Sequence, residues 1–485
     1  MKDIIKNYSL NLGYQVIILL IPFISIPYLS RTLGPNNLGV EAYTTSVTAV
    51  FIAVVNAGTL IYSTRQVASL KNKKELLIKE VYNIILFRVL LAFGSLLVYF
   101  LMILQSEYFN VFLIQSVFLI ASTFFDCTWY FIGKENFKLI VFRNLLIKFV
   151  GILLILQFVN DQSDLINYIW INAVTVLIPN ISLILLLIKD IGMPKKSLFS
   201  IKELKKLIFS IYPFFIMGII TQVYMNVDKI IIEKHDLIYE LGVYSQFIKS
   251  YSVFLAPITA VGTILMPRIT NLVVDKKENG TKLINFSSNF IFVLCIPIFT
   301  GLIAISNEFV KLFYGEGFSE FLLLFQIGAL LIFTGSLSNI VVQQVIYPNS
   351  LEKLYNKALV YASLIRIIII LISINIIGIY GALIAYVISE LILMGICIYS
   401  TRSHVNIINL ILNFNNLRIL SAGATMFVFI KIINENMLVL KVLGGSIVYI
   451  VMLVLLKEQI TIKIKKHITS ISINKKDNLK DKKQT

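Results

Sequence analysis

Residues Leu10 to Ser30 read LNLGYQVIILLIPFISIPYLS, an apolar run without a charge. A helix needs about 20 such residues to cross the roughly 30 Å hydrocarbon core of a bilayer. The run is too long for the apolar part of a secretion signal and lacks a small-residue cleavage site, so it reads as a retained first helix. The same length, applied outward, predicts spans near 40–63, 80–104, 110–132, 138–159 and 166–189. A second set follows near 207–232, 243–266, 285–308, 320–346, 356–376 and 379–400, and a last pair near 416–433 and 436–456. The fold class is all-α: a polytopic membrane protein of about fourteen transmembrane helices. Composition agrees, with 58% of 485 residues hydrophobic and 14% charged. A soluble domain carries roughly a quarter charged residues.

The chain is basic, with 43 Lys and Arg against 26 Asp and Glu. In a soluble protein a formal charge of +17 would suggest a nucleic-acid partner. Its distribution here argues otherwise. With the N-terminus inside, the cytoplasmic segments carry 32 Lys and Arg, the outer loops 4 and the spans 7. That is the positive-inside pattern. It requires an even number of spans and places both termini in the cytoplasm, with membrane lipids rather than nucleic acid around the chain.

The polar connection from Lys189 to Lys206 divides the spans into an N-lobe of helices 1–6 (1–190) and a C-lobe of helices 7–12 (207–400), with 191–206 as a cytoplasmic linker. Residues 401–456 hold helices 13 and 14, and 457–485 form a basic cytoplasmic tail. The lobes echo one another. Leu38-Gly39-Val40 and then Tyr43 follow the first helix of one, and Leu241-Gly242-Val243 and then Tyr244 follow that of the other. Pro22 and Pro213 lie in the two lead helices. Two pseudo-symmetric six-helix halves are a common transporter plan.

Charges inside spans mark function by default, because each costs about 2.5–3.5 kcal/mol at the bilayer centre. Arg88, Arg143, Lys148, Lys229, Lys249, Arg366 and Lys441 lie within the predicted spans, with Asp126, Asp228 and Glu390. Lys229 and Lys441 are near span ends and can snorkel to the headgroups. Lys148, Arg366 and Glu390 lie about 15 Å deep at 1.5 Å per residue. Arg366 and Glu390 share that depth on consecutive helices, either as a buried salt bridge or as lining of a wet cavity. Lys148 has no acid at its depth on a sequence-adjacent helix. The cationic excess favours an anionic substrate, and Arg and Lys are natural donors to phosphate.

Catalytic and cofactor chemistry finds no support. There is no P-loop, no HExxH, and no His/Cys cluster; Cys127, Cys295 and Cys397 lie far apart in apolar segments, and His235, His404 and His467 fall in loops. The outer loops are short, the longest being about Asn307 to Glu320. Asp161-Gln162-Ser163-Asp164 is the one acidic outer motif, and it reads as solvated surface. No enzyme, cofactor or metal is expected.

Several stretches resemble the polysaccharide-transport (Wzx-type) repeat-unit flippases of the multidrug/oligosaccharidyl-lipid/polysaccharide exporter superfamily. They are Pro27-Tyr28-Leu29-Ser30-Arg31-Thr32-Leu33-Gly34 with Leu38-Gly39, then Thr64-Arg65-Gln66-Val67-Ala68, and the run from Trp129 to Phe137. Asn226-Val227-Asp228-Lys229-Ile230, Leu241 to Ser245, Pro267-Arg268 and Tyr380-Gly381-Ala382 follow in order. The resemblance covers about residues 1 to 400 and implies two lobes around a cavity that opens alternately to each side. It also implies an undecaprenyl-pyrophosphate-linked oligosaccharide as substrate and polymerase, chain-length or export proteins as pathway partners. The anion-binding candidates are Arg31, Arg65, Arg88, Lys148, Lys249 and Arg366, with Asp228 and Glu390 as coupling or salt-bridge candidates. Arg31 and Arg65 match motif positions and also suit interfacial anchoring. The alternatives are a cation-coupled multidrug antiporter, which the charge sign disfavours, and a polysaccharide polymerase or glycosyltransferase, which the short outer loops disfavour.

Overall fold

A computed structural model describes residues 21–56, 58–193, 201–274, 279–402, 405–433 and 437–458. Residues 10–20 of the first predicted span, 194–200 of the linker and the tail from 459 lie outside the described residues. Among the described residues the regular structure is entirely helical. Within a bilayer this is forced, because a helix satisfies its own N–H and C=O groups where no water can.

Residues 21–32 are helical (α1), and Gly34, at φ 72, turns the chain into α2 (Gly34–Asn56). Next come α3 (Thr59–Leu70), α4 (Lys74–Ile103), α5 (Phe109–Thr123), α6 (Thr128–Gly133), α7 (Phe137–Phe158) and α8 (Leu165–Ile191). Then follow α9 (Ile201–Glu233), α10 (Ile238–Val274), α11 (Asn279–Ala304), α12 (Ser306–Tyr314) and α13 (Leu322–Val341). The chain ends on α14 (Glu352–Ile377), α15 (Ile379–Thr401), α16 (Ile407–Ile411), α17 (Phe414–Ile432) and α18 (Leu438–Leu455). Among the described residues, ten segments are long and apolar enough to cross a membrane. The predicted spans at 10–30, 138–159, 207–232 and 416–433 are not among those ten, so the number fourteen is not established.

Exposed apolar stripes identify the lipid-facing surfaces. Leu90, Phe93, Leu97, Leu101 and Leu104 of α4 recur at three- and four-residue spacing and are each more than half exposed. Val439, Leu443, Ile447 and Ile450 repeat the pattern on α18. In water such stripes would drive association.

Two predicted spans are broken helices. The span at 40–63 is divided between α2 and α3 at Gly58, whose φ of 76 suits a residue without a Cβ. The span at 110–132 is divided between α5 and α6. The expected loop Asn307–Glu320 is largely helical too. Its α12 and the following 3-10 turn bury Val310, Tyr314 and Phe318, and Tyr314 lies 5.3 Å from the Phe318 ring and 4.9 Å from Phe325. Aromatic packing orders the stretch expected to be an outer loop. Asp161 and Asp164 form a capping box around their own turn. Ser163 donates its amide and hydroxyl to Asp161 and holds that carboxyl below the usual range.

The chain divides into two compact units, Met1–Ser250 with Ser363–Ala385, and Tyr251–Ala362 with Tyr386–Thr485. In the second, α17 and α18 are docked on α11. Tyr449 donates to the Val293 carbonyl at 3.0 Å, and a Cβ on Gly423 would stand 2.3 Å from Ile296. Lys441, expected to snorkel, is instead 3% exposed and paired with Glu308 of α12. The acid at the end of the neighbouring span offers a shorter route to compensation than the headgroups do.

Candidate functional site: a buried charge cluster

In the first unit, motif segments that are remote in sequence meet in pairs. Gly39 of α2 lies against Gly242 of α10, backbone to backbone. A Cβ on Gly39 would fall 1.9 Å from the Ile238 carbonyl oxygen, and one on Gly242 would fall 1.8 Å from that of Pro35. Each glycine thus faces the carbonyl four residues before the other, a reciprocal contact that explains the Leu-Gly-Val echo. The second meeting joins α3 to α6. Thr64 donates to the Trp129 carbonyl at 3.5 Å, and a Cβ on Gly133 would stand 2.7 Å from Val67. The third joins α9 to α10 and holds the charges.

Arg366 of α14 is the centre of that third meeting. It is 1% exposed. Its Nη2 donates to Asp228 Oδ2 at 2.6 Å, its Nη1 donates to the Tyr224 carbonyl at 2.9 Å, and its guanidinium lies 5.0 Å from the Tyr224 ring centroid. Tyr244 donates its hydroxyl to the same Asp228 oxygen, and the Lys229 amide donates to Oδ1 at 3.0 Å. The carboxylate therefore collects three donors in a site closed to solvent. This satisfaction is what allows a buried charge to persist.

Lys249 of α10 is the more open cation. Its Nζ is 2.9 Å from Glu41 Oε2, with side-chain exposures of 39% for Lys249 and 10% for Glu41. Glu41 also accepts from Thr45 at 3.4 Å, and Thr45 from Gln115 at 3.0 Å. Tyr168 of α8 lies in the field of both charges. Lys229, expected at the headgroups, is half-buried and lies in the field of Asp228, Lys249, Glu41 and Arg366. Three cations against two acids leave one positive charge in excess.

The other predicted residues are placed differently. Arg88 is 3% exposed and lies where both broken spans interrupt. Its Nη2 donates to Asn56 at 2.8 Å, to the Thr123 carbonyl at 3.3 Å and to Asp126 at 3.4 Å. It thereby satisfies groups that the helix breaks leave without an intrahelical partner. Lys148 of α7 is exposed and has no ionic or hydrogen-bond partner among the described residues. Arg143 donates to the Pro179 carbonyl at 2.7 Å. Arg31 and Arg65 are exposed. All six anion-binding candidates and Asp228 belong to the first unit. Glu390, expected beside Arg366, belongs to the second, where Ser338 donates to it at 3.3 Å. The sequence reading missed Glu41, Tyr224 and Tyr168, and it noted Tyr244 only as part of a motif, without its bond to Asp228. Glu41 had a signal, since it follows the Leu-Gly-Val motif at the margin of a predicted span.

Chemically, the arrangement holds guanidinium and ammonium donors in a low-dielectric surround where a bound anion is attracted strongly. Lys249, the open member of its pair, can exchange Glu41 for a phosphate oxygen, and the enclosed Arg366–Asp228 pair fixes the helices around it. Among the described residues no group of His, Cys, Asp and Glu could hold a metal ion.

The profile of the family described as "Polysaccharide biosynthesis protein" matches residues 4–273. A protein of Shigella dysenteriae named "Putative O-antigen transporter" is 24% identical over 388 residues, 77% of this chain and 94% of its own length. One of the same name from Escherichia coli (strain K12) is 24% identical over 362 residues, 72% of this chain and 85% of its own. Among solved structures, the lipid II flippase MurJ in an inward closed conformation aligns with a TM-score of 0.70 at 17% identity. That alignment covers 94% of this chain and all of that one. An inward-facing multidrug resistance MATE transporter of the MOP superfamily aligns at 0.61 and 12% identity, covering 83% and 98%. These likenesses establish the transporter fold. The relatives are transporters and flippases rather than enzymes.

Proposed function

We propose that this chain, which belongs to the polysaccharide biosynthesis protein family, is a flippase for lipid-linked oligosaccharide repeat units. Its substrate would be an undecaprenyl-pyrophosphate-linked oligosaccharide, carried from the inner to the outer leaflet of the bacterial cytoplasmic membrane. Its product would serve capsule, exopolysaccharide, O-antigen or teichoic-type polymer synthesis, with a polymerase and chain-length or export proteins acting downstream. Both termini lie in the cytoplasm, and access to the cavity alternates between the two sides.

The observation that carries this reading is the cluster around Lys249, a cation held deep among helices, 39% exposed, and next to two further cations and only two acids. A pyrophosphate group crossing a bilayer needs compensation for its desolvation, and fixed cations supply it without reorganisation. A pump for cationic drugs would gain from the opposite balance. The likeness of this chain to proteins named for O-antigen transport supports the substrate class.

A strain lacking the gene tests the reading. It is expected to accumulate lipid-linked repeat unit on the cytoplasmic face of the membrane and to recover export when the chain is restored. Normal export in that strain, with no accumulation, overturns the proposal.

A further inference from the structure

The second unit contains a cavity with a different chemistry. Its volume is about 490 Å³, within the roughly 300–1,000 Å³ of small-molecule sites. Asn285 and Asn289 of α11 line one side, and Asn406, Asn409, Asn413 and Asn415, around α16 and the start of α17, line the other. The aromatic ring of Phe414 completes the wall, and none of the described lining residues is charged.

The six amides fall into two sets. Asn406 and Asn413 accept from the backbone amides of Asn409 and Asn416 at 3.2 and 2.7 Å, capping α16 and α17. Asn415 donates to Glu458 at 3.1 Å. These three build the frame. The side chains of Asn285, Asn289 and Asn409 have no hydrogen-bond partner among the described residues, and Asn289 is only 7% exposed. The polar atoms of all three are open to the cavity rather than sealed off, so their donors and acceptors are available to whatever fills it.

Amide side chains offer donors and an acceptor side by side, as hydroxyl groups do. An anion would find no cation among the described lining residues, and an apolar ligand would leave Asn285, Asn289 and Asn409 without partners. A neutral, multiply hydroxylated ligand satisfies them, and Phe414 gives an apolar surface for its C–H face. We infer that this cavity receives uncharged sugar residues of the glycan carried on the transported lipid. The inference rests on the transport reading above. On the proposed orientation, the start of α11 and the connection at 400–418 face the cytoplasm, where such a lipid is loaded.

The full-length protein in lipid nanodiscs can be titrated with three probes. They are the lipid-linked repeat unit extracted from the deletion strain, undecaprenyl pyrophosphate without sugar, and the oligosaccharide released from the lipid by mild acid. Asn289→Leu, and separately the exposed pair Asn285→Ala with Asn409→Ala, should weaken binding of the sugar-bearing lipid by about tenfold or more, as loss of two hydrogen bonds predicts. Both should leave binding of the sugar-free lipid unchanged. The exposed pair keeps the test valid if Asn289→Leu fails to fold. Variants that bind all three probes as the parent does would overturn the cavity assignment and leave the flippase reading standing. If the parent binds the free oligosaccharide alone, and the variants lose it, the cavity takes free glycan and the lipid-transport reading falls. Binding of none of the probes removes both.

Discussion

At the scale of single residues, the same charge type does two kinds of work. Arg366 and Asp228 are each at most 2% exposed on their side chains, so removing one strands the other. Arg366→Ala should therefore destabilise the protein by about 3–5 kcal/mol, seen as a lower midpoint in detergent thermal unfolding. Lost export in that variant is weak evidence for a substrate contact. Lys249 gives the cleaner test. Lys249→Gln and the double variant with Glu41→Gln should both lose most export, while Glu41→Gln alone retains it, with all three at parental levels in the membrane. If the double variant exports normally, the pair is structural only. Depth along a helix was legible in the sequence and picked out Lys148, Arg366 and Glu390. Partnership was not, because Arg366 finds its acid on α9 rather than on the helix next in sequence. Glu41 was passed over because α2 begins at Gly34, which puts that acid about 10 Å into the helix at 1.5 Å per residue instead of at its margin.

At the scale of elements, close approach decides. The crossing of α2 and α10 depends on two hydrogen atoms in place of side chains. Gly39→Ala or Gly242→Ala forces a Cβ to within 2 Å of a carbonyl oxygen, and overpacking of this kind costs about 1–3 kcal/mol. Gly94 of α4 has nothing within 4 Å of an added Cβ, so Gly94→Ala should leave the thermal midpoint unchanged or raise it slightly. Equal behaviour of all three variants in thermal unfolding would refute the crossing. The Lys441–Glu308 pair predicts a complementary pattern for α18. Lys441→Met alone should lower the midpoint, and adding Glu308→Gln should recover much of the loss. The sequence shows the three-residue echo of α2 and α10, but only a structure reveals that its two copies touch. The breaks at Gly58 and at Phe124 to Cys127 were hidden for another reason, since an apolar run reads as continuous whether or not its backbone is.

At the scale of the whole molecule, hydropathy was sufficient to give a multi-span helical protein, and the 32-to-4 charge bias predicts its orientation. The orientation can be checked directly, because Cys127, Cys295 and Cys397 are all buried and leave a quiet background. A cysteine introduced at Ser163 should react with an impermeant thiol reagent applied to intact cells, whereas one at Asn72 should react only after permeabilisation. The reverse result would invert the topology and move the asparagine cavity to the outer face. The span count was less legible, since among the described residues length and hydropathy single out ten helical segments where apolar runs of about 20 residues suggested fourteen.

The pairing in the charge cluster also has an electrical consequence. A membrane potential acts on net charge, at about 2.3 kcal/mol for each elementary charge carried across 100 mV. Three cations alone would bring a term of about 7 kcal/mol to any rearrangement that moved them across the field. With Glu41 and Asp228 alongside, the figure for the empty cluster drops to that of one charge. A doubly charged pyrophosphate would reverse its sign. The voltage then pulls the empty and the loaded carrier in opposite directions with about equal strength, and the cargo sets the direction in which the field drives the rearrangement.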